Sequence, residues 1–76
     1  MWVNVKTSSA NVWRRARHVG LLYVGDLPRV VVDGQDFSPF AVDGIVGENE
    51  GEEFVAHSLW QAVVQAREGL EKQQPS

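Results

Sequence analysis

Residues 49–70 read NEGEEFVAHSLWQAVVQAREGL, and this stretch decides the fold. Placed at ~100° per residue, Val55, Ala56, Leu59, Ala62, Val63, Ala66 and Leu70 fall within roughly one third of a helical circumference. That stripe is wide enough to dock one amphipathic helix on a sheet. Trp60 and Val64 lie outside it, one turn apart, among His57, Arg67, Glu68 and Glu71. Two readings follow. Another segment covers Trp60 and makes it part of the core, or Trp60, Val64, His57 and Arg67 form a partner-binding face, tryptophan being over-represented at interface hot spots. Asn49 is placed to cap the helix, with Glu52 three residues on as in a capping box, and Gly51 is the alternative cap. Glu50, Glu52 and Glu53 crowd the first turn, where the helix dipole favours negative charge. Gly69 marks the C-terminal end. This divides the chain into a single small domain over residues 1–70 and a disordered tail over 71–76.

Upstream of the helix the pattern changes from helical spacing to alternation. Trp2-Val3-Asn4-Val5-Lys6 reads as a strand and Thr7 to Asn11 as a turn. Residues 12–18 admit a strand or a helix. The strand is preferred because it completes a hairpin with Trp2–Lys6. It puts Val12, Arg14, Ala16 and His18 on one face and Trp13, Arg15 and Arg17 on the other. Val19 to Val24 is apolar and β-prone; Gly25-Asp26-Leu27-Pro28 reads as a turn. Arg29 to Val32 is a strand, and Asp33-Gly34 is the hairpin dipeptide that returns it through Gln35 to Phe37, with Pro39 ending the pairing. Phe40-Ala41-Val42 reads as a further short strand, and Asp43-Gly44 as another turn. The fold class that follows is α+β: a small antiparallel sheet or partly closed barrel of three to five short strands, then one C-terminal amphipathic helix. The expected core is Val3, Val5, Leu22, Val24, Val30, Val32, Phe37, Phe40, Val55, Leu59, Ala62, Val63 and Ala66.

A 76-residue chain without cysteine has neither a disulfide nor a thiolate metal site to staple a small core, which raises the expectation of a homo-oligomer. No stretch reaches the ~18 apolar residues of a membrane span, and the N-terminus lacks a secretory pattern, so the expected location is cytoplasmic. The net charge of −3 is unevenly spread. Residues 1–38 carry Lys6, Arg14, Arg15, Arg17 and Arg29 against three aspartates; residues 39–76 carry seven carboxylates against Arg67 and Lys72.

The one basic cluster is Trp13-Arg14-Arg15-Ala16-Arg17-His18. Guanidinium groups meet phosphates and an indole stacks on a base, so Trp13, Arg14, Arg15 and Arg17 are the candidate nucleic-acid-binding residues. The overall negative charge argues for the alternative, a solvated strand paired with local carboxylates such as the Glu48–Glu53 run. That run lacks the alternating ligands of a calcium loop and reads as a solvated helix start, or as an acidic surface mimicking a charged ligand. Glu53 and His57 stand four apart without a third ligand, which fits a surface ion pair rather than a metal site. No serine or histidine sits in a nucleophile–base–orienter pattern. The expectation is a non-enzyme without cofactor.

Two partial resemblances add to this. Residues 12–34, Val-Trp-Arg-Arg-Ala-Arg and, after an intervening stretch, Arg-Val-Val-Val-Asp-Gly, resemble the strand pair of Tudor and SH3-like barrels. That resemblance implies a barrel reading peptides or nucleic acids through an aromatic pocket, with no pocket residue carried over. The N-terminal Val-Asn-Val-Lys with Trp-Arg-Arg-Ala is similar to short accessory proteins of Mu-like prophages. The expected function is therefore a small protein-interaction protein, of the phage or mobile-element accessory kind. It docks through the Trp60/Val64 helix face onto itself or another protein, with nucleic-acid binding as the alternative.

Overall fold

Alternation lets Trp2–Lys6, Leu27–Val32 and Val42–Val46 each bury one apolar face, and the remaining strands pair alongside them. In the computed structural model, which describes residues 1–73, six strands precede one helix. They are β1 (Trp2–Lys6), β2 (Asn11–Arg15), β3 (Val19–Val24), β4 (Leu27–Val32), β5 (Gln35–Phe37) and β6 (Val42–Val46), followed by α1 (Glu50–Gln73). They make two three-stranded antiparallel sheets: sheet A in the order β2-β1-β6 and sheet B in the order β3-β4-β5. The sheets are not closed into a barrel, so neither the partly closed barrel nor the barrel implied by residues 12–34 is realised.

Register fixes which residues face inward. Val3 stands between Arg14 and Ile45, and Val5 between Val12 and Val42, so one face of sheet A collects the valines. In sheet B, Val30 stands between Leu21 and Phe37, and Val32 between Val19 and Gln35. These faces and Ala56 and Val63 of the helix enclose the core. The helix lies against β6 and the 3-10 turn Pro39–Ala41, with Tyr23 and Pro28 beside its C-terminal half. The largest fully buried side chains are Val3, Val30, Val32, Val42, Val63 and Pro39, all of modest volume. Among the described residues every tryptophan, phenylalanine, tyrosine and leucine stays partly or largely exposed. A core of such small side chains leaves a narrow stability margin.

Turn chemistry explains the hairpins. Asp33 and Gly34 both take positive φ, 49° and 83°, the mirror-image geometry that matches strand twist. The segment between β2 and β3 is tied down by Asp33, whose Oδ1 accepts the backbone N–H groups of Arg17 and His18, both at 2.9 Å. At the helix start Asn49 is the cap: its Oδ1 accepts the Glu52 N–H at 2.9 Å and its carbonyl the Glu53 N–H at 2.7 Å. Glu52 does not close the box on Asn49. Its carboxylate accepts the Glu48 N–H at 2.9 Å and pairs with the Met1 ammonium at 2.8 Å. Glu53 reaches back to the Gly47 N–H at 2.7 Å, and a Cβ at Gly47 would run into the Glu53 backbone. The entry to the helix is thus folded tightly onto the end of β6.

Several expectations change. Strand β4 begins at Leu27, so Gly25-Asp26 alone is the turn, with Val24 opposite Leu27. Pro28 is tolerated inside β4 because β5 pairs only with Val30–Val32, leaving no neighbour on that side to need its missing N–H. Phe40 and Ala41 lie in the 3-10 turn rather than in a strand, capped by the Ser38 hydroxyl, which accepts the Phe40 N–H at 3.2 Å. Asp43-Gly44 is not a turn: it sits within β6, where the register slips between Asn4 and Val5, a β-bulge that leaves Asp43 unpaired. Leu22, Val24 and Val55 belong to the surface and not to the core. Val42, Ile45 and Ala56 are buried in their place. The helix does not stop at Gly69 but runs on through Gln73. The assigned tail is therefore helical at residues 71–73, and residues 74–76 lie outside the described residues.

Candidate functional site: the exposed apolar surfaces

The expected helix face is drawn into the fold. Trp60 is half-buried and packs against the core cluster. The Arg67 guanidinium lies 5.9 Å from its ring centre and 5.7 Å from that of Phe40, and is 4.0 Å from the Asp43 carboxylate. The chain itself therefore satisfies Arg67, through an aromatic pair and the bulged aspartate. Val64 is half-buried and only His57 of this group is exposed. What remains free on the helix is Phe54 and Val55. Glu53, bonded to Gly47, is committed to the helix start rather than to His57.

The basic cluster is divided by the pleat. Arg14, on the inward face of β2, spans to sheet B. Its guanidinium is 5.7 Å from the Phe37 ring centre and donates to Gln35 Oε1 at 3.4 Å. Arg15, on the outer face, is held by Glu48 through contacts of 2.7 and 2.8 Å. Trp13 lies outside beside Asn4, and its ring reaches across β1 so far that a Cβ on Gly44 would stand 3.2 Å from Cη2. Arg17 is exposed beyond the strand. The four residues do not converge on one backbone-tracking groove. Sequence reasoning missed Trp2, which shares the outer face of sheet A with Trp13; the alternation of Trp2-Val3-Asn4 carried that information. Beneath Trp13, Asn4 Oδ1 is buried with no protein partner.

The cleft lined by Met1, Arg15, Arg17, Asp33, Glu48 and Glu52 gathers charge of both signs. Its carboxylates are engaged structurally. The Met1 ammonium, then the Glu48 N–H, hold the Glu52 carboxyl below the ordinary glutamate range. The His18 N–H, helped by that of Arg17, does the same for Asp33. Hydrogen-bonded anions of this kind favour the ionised form and are poor general bases. Among the described residues no three His, Cys, Asp or Glu side chains stand together as a metal site would need. No helix among them is long and apolar enough to cross a membrane.

A free apolar surface lies on the β3–β4 hairpin. The pairs Gly20–Val31, Leu22–Arg29 and Val24–Leu27 alternate with the inward pairs Leu21–Val30 and Tyr23–Pro28. The outer face thus presents Leu22, Val24 and Leu27, exposed by 53, 64 and 48 %, with Arg29 opposite Leu22 and Val31 opposite Gly20. Neighbouring apolar side chains left in water on one sheet face mark an interaction surface more often than isolated ones do. No protein-family model, curated protein or solved structure matches the chain.

Proposed function

We propose that the protein is a small non-enzymatic interaction domain that docks through the outer face of the β3–β4 hairpin. One observation carries this reading: the core is built from valine, alanine, isoleucine and proline, while Leu22, Val24 and Leu27 are left together in water. Their burial would contribute about 25 cal/mol per Å² of apolar surface, which the monomer forgoes and a partner recovers. This keeps the interaction role expected from the sequence and moves its site from the Trp60/Val64 face to the hairpin. The folded-in Trp60 and the ion-paired Arg67 and Arg15 support that move.

The test is photo-cross-linking in the source cells. Benzoylphenylalanine at Val24 is expected to give a discrete protein adduct, while the same group at Ser58, an exposed helix position, gives none. Adducts from neither Leu22 nor Val24, with capture from Val64 instead, would return the docking site to the helix.

A further inference from the structure

Four strand edges bound the two sheets, and three carry the features that natural proteins use to prevent edge pairing. Edge β2 bears Arg14 and Arg15, β5 is three residues long and followed by Pro39, and β6 is broken by its bulge. Edge β3 has none of these. It is six residues long, Val-Gly-Leu-Leu-Tyr-Val, without charge or proline. The Asp33 N–H donates to the His18 carbonyl at 2.8 Å, and bonding pairs alternate along an antiparallel ladder. Gly20, Leu22 and Val24 therefore turn their backbone groups toward β4. The N–H and C=O groups of Val19, Leu21 and Tyr23 point to the open edge, and no described backbone or side-chain group bonds to them.

Going beyond the docking of the outer face, we infer that the open β3 edge joins a second copy of this chain by antiparallel β3–β3 pairing about a two-fold axis at Leu21. A two-fold contact requires a self-complementary strand. With Leu21 opposite Leu21, Val19 stands opposite Tyr23 of the second copy, and every outward N–H and C=O of these residues finds a partner. Leu22 falls beside Gly20 of the other copy, where a Cβ would meet nothing within 4 Å, so large sits against small. The same register sets Arg17 of one copy opposite Gly25 of the other, one residue short of Asp26, at both ends. Neither Arg17 nor Asp26 takes part in a salt bridge within the monomer among the described residues. The two sheets B then continue as one six-stranded sheet, with Leu22, Val24 and Leu27 of both copies still exposed along one face. This nearness of opposite charges, and the absence of any like-charge pair across the strand, select a second copy over an unrelated peptide.

Sedimentation equilibrium and hydrogen exchange, run from about 10 μM to 1 mM, test this. The expected result is a doubling of mass with concentration. The Val19, Leu21 and Tyr23 amides should slow at least about tenfold in the dimer, while Gly20, Leu22 and Val24 stay protected throughout. Gly20→Lys should keep the monomer folded, since the space beyond Gly20 is open, and should weaken dimerisation at least about tenfold by setting two ammonium groups diagonally across the axis. A monomer at 1 mM overturns the inference. A dimer in which the three edge amides exchange as fast as in the monomer, or one indifferent to Gly20→Lys, overturns it equally. A monomer that still cross-links from Val24 to a different protein ends the self-pairing while leaving the hairpin as the docking site. A monomer that cross-links to nothing ends both.

Discussion

Sheets A and B are built alike and finished differently. Each has three antiparallel strands and an inward row of valines, Val3 and Val5 in one, Val30 and Val32 in the other. On sheet A the outer face is furnished by the chain itself. Trp13 lies across Asn4 toward Gly44, Arg15 is clamped by Glu48, and Asn11 donates to Asp43 at 3.3 Å. On sheet B the outer face leaves Leu22, Val24 and Leu27 in water beside Arg29, and the adjoining edge has unused backbone groups. The same two-residue alternation therefore leaves an outer face crossed by the chain's own side-chain contacts in sheet A, and an aliphatic cluster without such contacts in sheet B. Apolar surface that the fold does not use is what marks the docking site.

If the inward rows are equivalent, Val3→Ala and Val30→Ala should each lower unfolding free energy by about 2 kcal/mol, through lost transfer energy and an unfilled cavity. Urea denaturation reads both. A much smaller loss at Val30 would mean that sheet B is only loosely joined to the core. The helix offers a second contrast. Trp60→Ala should cost about 2 kcal/mol, less than a fully buried tryptophan, whereas Trp13→Ala, half in water, should cost under about 1 kcal/mol. Gly44→Ala sharpens the account of sheet A. Its methyl forces the Trp13 ring to shift, with an expected cost of about 0.5 kcal/mol and a change in tryptophan emission, while Gly20→Ala in sheet B should show neither.

The smallest effect is the pH dependence. Asp33 and Glu52 have folded pKa values below their unfolded ones, so each stabilises the fold above its unfolded pKa and loses that contribution as pH falls through the folded value. Stability should therefore decline on acidification below the ordinary carboxylate range, and Asp33→Asn should flatten part of that decline. An unchanged acid profile would show that the link from β2 to β3 does not depend on the Asp33 anion.

Much of this was legible in local chemistry. Asp33-Gly34 demanded positive φ at two successive positions, and Asn49 offered a cap; neither needs tertiary information. Asp43-Gly44 shows the limit. The same dipeptide is a turn when its flanks pair with each other and a bulge when both pair with β1, which only the register reveals. Val19 to Val24 fails for a related reason. A run without alternation does not say which face is buried, so the sequence offers Leu22 and Val24 to a core they do not reach; pairing with Val30 and Pro28 sends Leu21 and Tyr23 inward instead. The helix stripe is one residue too wide at its start: it holds both Val55 and Ala56, and of the two only Ala56 is buried. For the site, the alternation of Trp13, Arg14 and Arg15 already divided the arginines between two faces. That Arg67 would be consumed by Trp60, Phe40 and Asp43 depended on three distant segments meeting.

The central claim is that the outer hairpin surface is surplus to the monomer's fold. Its most direct test is the urea unfolding of the Leu22→Lys/Val24→Lys variant, measured at low micromolar concentration where association does not contribute. The account predicts an unfolding free energy within about 0.5 kcal/mol of the parent chain. A loss of about 2 kcal/mol or more would show that these side chains are buried in the folded monomer, and would contradict the docking surface.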